Sequence, residues 1–274
     1  MGIVPAIVVA ALGLALTMAL AWLVAVRSGM SGCVDAIWSF SVGMLGALVA
    51  LIPGVEGDNQ LRQWMVALLA VAWSLRLGLH ILIRTVGDGR DDPRYSQLKQ
   101  DWGSDFPRRL FWFLQIQAAA AFLLVLSIMA AAHNPAPAFG AGDWAGVALM
   151  LVAVGGESHA DRQLKAFRAD PGNKGKVCEV GLWGLSRHPN YFFEWLGWVA
   201  YTVIAISSPA TYPWGFAAFA GPVLMYWLLV HVSGIPPLEA HMLRSRGDQF
   251  RRYQASVNAF WPGAPKTASV NKGN

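Results

Sequence analysis

Long apolar runs separated by short polar segments set the pattern of the chain. Windows of about twenty apolar residues, the length that crosses a hydrocarbon core, fall at 3–26, 34–53, 63–85, 109–131, 144–158, 190–208 and 213–233. Within lipid, backbone polar groups must be satisfied inside each segment, so such runs are expected to be helices. The pattern predicts an all-α integral membrane protein of about seven transmembrane helices. The fifth run is short unless its helix continues past Gly155-Gly156 into the polar segment beyond, and that continuation is expected.

Loop charge gives the orientation. Segments 86–108 and 159–189 and the tail after 234 carry most of the Arg and Lys, whereas 54–61 and 132–143 hold Glu56, Asp58 and Asp143 but no basic residue. The positive-inside rule then puts the N-terminus outside and the C-terminus in the cytoplasm. An odd number of spans agrees. Arg62, at the outer end of the third run, is the discord. Residues 1–262 read as one transmembrane domain and 263–274 as a disordered tail.

Composition supports the bilayer and excludes other classes. With 274 residues, 55% hydrophobic and 14% charged, and a mean hydropathy of +0.41, the chain has too little polar surface for a soluble globule. A net charge of +5 and a pI near 9.4 are explained by anionic lipid and topology. No nucleic-acid signature accompanies them. Cys33 and Cys178 are too few and too isolated for a disulfide framework or a zinc site, so no metal is expected. The first run lacks a basic leader and exceeds a signal-peptide core, which makes it a retained helix.

Candidate chemistry concentrates between Glu157 and Trp195. On a continuing helix Glu157, Asp161, Lys165 and Arg168 share one face. Asp170-Pro171-Gly172-Asn173 then forces a turn, because Pro171 fixes φ and Gly172 and Asn173 tolerate φ > 0. A further helix is predicted from Pro189, with Asn190 and Glu194 one turn apart on one face. Arg187 and His188 sit at its mouth, where unpaired N–H groups and the dipole favour an anion. Polar groups just inside an apolar run cost free energy unless paired or functional.

The N-terminal runs hold a second set. Asp35, Trp38 and Ser39 share a face at the start of the second run, and Asp35 is either a dipole-favoured cap or a cavity residue beside an indole N–H and a hydroxyl. Arg76, His80 and Arg84 recur every fourth residue in the third run, with Asp35 or Glu194 as expected partners for Arg76. Residues 87–95 read as a compact charged turn that either clamps a nucleotide or only decorates the cytosolic face, and it lacks a dinucleotide fingerprint. After residue 234 the tail reads as a loop, a basic amphipathic helix through about Tyr253 and an aromatic end, lying on the headgroups or folding back over the cytosolic mouth.

Two strings carry a resemblance: SRHPNYFFEW is similar to the Arg-His-Pro-Asn-Tyr element near the last helices of membrane sterol reductases, and DRQLKAFRADP resembles the element before it. The whole chain resembles the bacterial branch of the steroid 5-alpha-reductase family, whose members are membrane enzymes using NADPH. Isoprenylcysteine carboxyl methyltransferases share the Arg-His-Pro tripeptide. The resemblance implies that Asp161, Arg168, Asn190 and Glu194 contact the cofactor, that Tyr191 belongs to the same motif, and that a sterol-like enone lies among the N-terminal helices of a bacterial inner-membrane protein. Where animal members carry a Gln-Glu pair and a Tyr, this chain offers Asp35 with Trp38, and Trp73 or His80, as candidates for the carbonyl-activating acid. The residues themselves add Lys165, Arg187 and His188 for the phosphates, with Glu157 on the same face as Asp161. The expected activity is NADPH-dependent reduction of an activated C=C bond. S-adenosylmethionine-dependent methyl transfer and non-catalytic lipid binding are the alternatives.

Overall fold

A computed structural model describes residues 3–53, 59–88, 93–207 and 211–266. Ten α-helices are present among them: α1 (Ile3–Ser28), α2 (Val34–Ala50), α3 (Gln60–Asp88), α4 (Pro93–Trp102), α5 (Phe106–Ala132), α6 (Ala141–Ala169), α7 (Pro189–Ala205), α8 (Ala220–Trp227), α9 (Ile235–Arg246) and α10 (Asp248–Ser256). No strand occurs among the described residues. Four helical stretches, Val4–Ser28, Gln60–Gly87, Arg94–Ala132 and Pro213–Arg246, are long and apolar enough to cross a bilayer, and Val34–Ala50 is a shorter apolar helix. The protein is an all-α membrane protein.

The expected continuation of the fifth run is present, since α6 passes Gly155-Gly156 and ends at Ala169. Neither α6 nor α7 is among the four long apolar stretches. Asp143, Glu157 and Asp161 interrupt the first, and the second is only 17 residues long and includes Glu194. The charged turn at 87–95 lies partly, and the tail beyond Lys266 wholly, outside the described residues.

The chain divides into two compact units, Met1–Val147 with Ala200–Gly221, and Ala148–Val199 with Pro222–Asn274. In the first, helices approach closely wherever a glycine faces a neighbour. A Cβ on Gly43 would fall 2.1 Å from that of Ser74, and one on Gly78 2.5 Å from the Phe40 ring. Small residues at such crossings let backbones pack without relying on a hydrophobic force that lipid removes. On α1, Leu14, Met18 and Ala21 turn inward while Leu12, Leu16 and Leu20 stay exposed. Both faces are apolar, as a bilayer requires.

The first unit is pinned by a buried ion pair. Arg62, 0% exposed, donates from Nε to Asp143 Oδ1 at 2.7 Å and from Nη2 to Oδ2 at 2.8 Å. Its remaining N–H groups reach the carbonyls of Asn134 at 2.7 Å, Ala136 at 2.8 Å and Ala138 at 2.9 Å. All donors of the fork are thereby used. Arg62 is thus a neutralised group inside the protein rather than an exposed loop charge.

In the second unit, Gly156 of α6 meets Phe193 of α7, where a Cβ would fall 2.4 Å from the ring. The turn after α6 forms as its residues dictate, with Asp170 Oδ1 accepting from the Gly172 N–H at 2.8 Å. Gln163 Oε1 accepts from Leu182 N at 3.0 Å and Trp183 Nε1 donates to Ala160 O at 3.0 Å, which fastens the returning loop onto α6. After α8 a π-helical turn at Leu228–Val232 ends with Ser233 and Gly234 N–H both donating to Leu228 O. A Cβ on Gly234 would sit 2.4 Å from Leu229 O, so only glycine allows this bend. Pro236 and Pro237 then begin α9.

Candidate functional site

The site of the second unit is built around the three residues before α7. Ser186 Oγ donates to Phe260 O at 3.0 Å and accepts from His188 N at 3.1 Å. Arg187 N donates to Asn258 O at 2.9 Å, Gly263 N to Leu185 O at 3.0 Å, and Tyr253 Oη to Trp183 O. Burial pushes the Tyr253 phenol up, so it stays a donor. The tail therefore folds back onto this loop, one of the two courses open to it from sequence. Gly263–Lys266, expected in a disordered tail, is hydrogen-bonded at both ends, Lys266 N donating to Ser256 O at 2.7 Å.

Glu239 of α9 holds the loop from the other side. Its Oε1 accepts from Arg187 Nε at 2.7 Å and faces His188 Nε2 at 2.9 Å. Its Oε2 accepts from Gln254 Nε2 at 2.6 Å and Arg187 Nη2 at 3.2 Å. Arg187 Nη1 donates further to the carbonyls of Gln254 and Val257. The guanidinium is 11% and the carboxylate 12% exposed. His188 is buried and stacks on Tyr191 with 5.4 Å between centroids and planes 9° apart. Burial pushes its imidazole below the ordinary range, opposed by the Glu239 hydrogen bond.

One turn into α7, the buried Glu194 accepts from Trp198 Nε1 at 3.1 Å, while Asn190 and Tyr191 are half-buried. On α6, Glu157 is buried, Asp161 half-buried, and Lys165 and Arg168 exposed. The second unit thus gathers all nine expected cofactor residues. Within this unit lie two exposed cations, a half-buried amide and two buried carboxylates, residue types suited to a ligand with an anionic end and a hydrogen-bonding end.

The remaining four candidates belong to the first unit. Asp35 Oδ1 accepts from Tyr95 Oη at 3.0 Å, and Oδ2 pairs with Arg94. The groups expected beside that carboxylate bond elsewhere. Trp38 Nε1 donates to Gln117 O at 3.0 Å, and Ser39 Oγ to the Asp35 backbone oxygen at 2.8 Å, the usual i−4 bond of a helical serine. Trp73 is buried and His80 exposed.

Sequence reasoning missed Glu239 and Gln254, and it placed Arg94 and Tyr95 in a charged turn without pairing them with Asp35. Glu239 stands 52 residues from Arg187, and no spacing rule links them. The available signal was a carboxylate placed just after Pro236-Pro237 in a tail otherwise rich in arginine.

The family described as "Protein of unknown function (DUF1295)" matches residues 21–257, and the chain belongs to it. That family is associated with steroid 5-alpha-reductase-like membrane proteins. No curated protein and no solved structure matches the chain.

Proposed function

From this membership and the polar cluster at the start of α7, we propose that the protein is an NADPH-dependent membrane reductase of an activated C=C bond, with 3-oxo-4-ene steroids as its substrate class. In the same reading the chain belongs to the bacterial branch of the reductases and crosses an inner membrane about seven times with its N-terminus outside. The observation that carries it is the buried Glu194, with half-buried Asn190 one turn before it, at the opening of an apolar helix. Polar groups placed there cost free energy that pairing or a function must offset, and the Trp198 N–H reaches one oxygen of Glu194.

NADPH, when bound, supplies the hydride. The residues present fit it. Lys165 and Arg168 are free to meet phosphate oxygens, and Asn190 offers both a donor and an acceptor to a carboxamide. Glu157, Asp161 and Glu194 accept from amide and hydroxyl hydrogens. The Arg187 fork is filled by Glu239 and two carbonyls, so in this reading it orders the helix mouth. An acid must hydrogen-bond the carbonyl oxygen as enolate charge develops; in the first unit, taken by itself, the candidate Asp35 is held by Tyr95 and Arg94.

Methyl transfer from S-adenosylmethionine is the second reading, favoured by the buried carboxylates, which suit an amino group. Thermal shifts of the purified protein with each ligand separate the two. Stabilisation by NADPH, and loss of nicotinamide absorbance when a 3-oxo-4-ene steroid is added, is the expected result. Stabilisation by S-adenosylmethionine alone contradicts the reductase.

A further inference from the structure

Three N–H donors converge on the Glu239 carboxylate, from Arg187 Nε and Nη2 and Gln254 Nε2, at 2.6–3.2 Å, and His188 Nε2 lies 2.9 Å from Oε1. A group surrounded in this way has to be acceptor-only. A glutamine in its place would turn an NH₂ toward at least one of those donors and leave it unpaired in a half-buried setting. The carboxylate also decides the histidine. Since it carries no proton, the hydrogen between Oε1 and Nε2 belongs to His188, which places the neutral ring's proton on Nε2 and leaves Nδ1 an acceptor.

From this geometry we infer that Glu239 is the positioning residue of the α7 mouth, fixing the Arg187 fork and the His188 tautomer for whatever ligand the Asn190–Glu194 turn receives. The identity of that ligand as NADPH rests on the function proposed above. Glu239 acts through its neighbours and is not itself assigned contact with the reacting atoms. The reach of the effect follows from the chain: Arg187 and His188 directly precede Pro189, so their placement sets the direction of the first unpaired N–H groups of α7. The stack of His188 on Tyr191 carries the same constraint one turn further. The charged groups facing the imidazole are Glu239 from α9 and Arg187 from its own loop, with the neutral Tyr191 ring stacked on it from α7.

The test uses full-length protein in nanodiscs, with ¹⁵N-histidine NMR across pH and NADPH titration on wild type, Glu239→Gln and Glu239→Asp. Wild type is expected to show His188 protonated on Nε2. Glu239→Gln is expected to move its titration midpoint down and to weaken NADPH roughly tenfold or more, with Glu239→Asp recovering part of both. A purely structural carboxylate would lower thermal stability without moving the histidine midpoint, and that outcome overturns the inference. Unchanged or tighter NADPH binding by Glu239→Gln overturns it too. If no variant binds NADPH but the histidine responds as stated, the positioning role stands and the nucleotide reading falls. Should Glu239→Gln fail to fold, the wild-type spectrum decides, because a proton on Nδ1 contradicts the assignment.

Discussion

Two arginine–carboxylate forks lie inside this protein, and they serve different ends. Arg62 and Asp143, in the first unit, are 0% and 1% exposed, and all five N–H groups of the arginine end on Asp143 or on three carbonyls of the 134–138 segment. Such a fork is closed, and holding the chain together is all its geometry permits. Arg187 and Glu239, in the second unit, keep 11% and 12% exposure and share the carboxylate with a histidine and a glutamine beside a helix N-terminus. The difference teaches that burial of an ion pair does not by itself mark a site. The second fork differs in what it shares: its carboxylate also holds a histidine and a glutamine, and its arginine directly precedes the first residues of a helix.

The largest expected effect breaks the closed fork. Asp143→Asn or Arg62→Leu leaves an uncompensated charge in the interior, which costs about 3–5 kcal/mol. The expected result is loss of folded protein, read as the yield of monodisperse material in detergent. Replacing both residues with apolar ones recovers little here, because the carbonyls of residues 134, 136 and 138 would lose their donors. Full recovery by the double variant would show that the carbonyl contacts contribute little.

Next come the residues of the open region. Asn190→Ala and Glu194→Gln are each expected to weaken NADPH roughly tenfold, about one or two charge-assisted hydrogen bonds, while their melting temperatures stay near wild type. Wild-type affinity in both removes that turn from the site. Arg168→Ala, on an exposed position, is expected to act on affinity alone and to do so less at high salt.

Acidification gives a smaller effect with a definite sign. Burial lowers the His188 pKa in the folded state, so on acidification the unfolded chain takes up that proton first. The stability from the neutral, buried ring is present above the ordinary imidazole value of about 6.5 and is lost as pH falls through the folded value. Melting temperature is expected to decline on the acid side, and His188→Gln to flatten that decline. The smallest effect is at the surface, where Asp248 and Arg251 pair at 83% and 69% exposure. Asp248→Asn should change stability by less than about 1 kcal/mol.

The fold was largely legible because lipid imposes long apolar runs, and the extension of α6 through Gly155-Gly156 followed from the shortness of its run. Glu157 and Asp161 on α6 and Asn190 and Glu194 on α7 share their helices as helical spacing predicts, and the turn signal at Asp170-Pro171-Gly172 falls where α6 ends. Other features were hidden for a common reason. Arg62 meets Asp143 across 81 residues and Arg187 meets Glu239 across 52, and pairings at such separations leave no periodicity in a single chain. Asp35 was read beside Trp38 and Ser39 because they share a helical face. Its partners came instead from α4, through Arg94 and Tyr95, since backbone carbonyls had already taken the indole and hydroxyl hydrogens.

The central claim is that the polar turn at the start of α7 receives a phosphorylated nicotinamide nucleotide. Equilibrium titration of the nanodisc-embedded protein with NADPH, repeated with Lys165 and Arg168 both changed to alanine, tests it most directly. Saturable binding that weakens at least tenfold when the two cations are removed is the expected result. Absence of binding to the wild type, or binding indifferent to both cations, contradicts it.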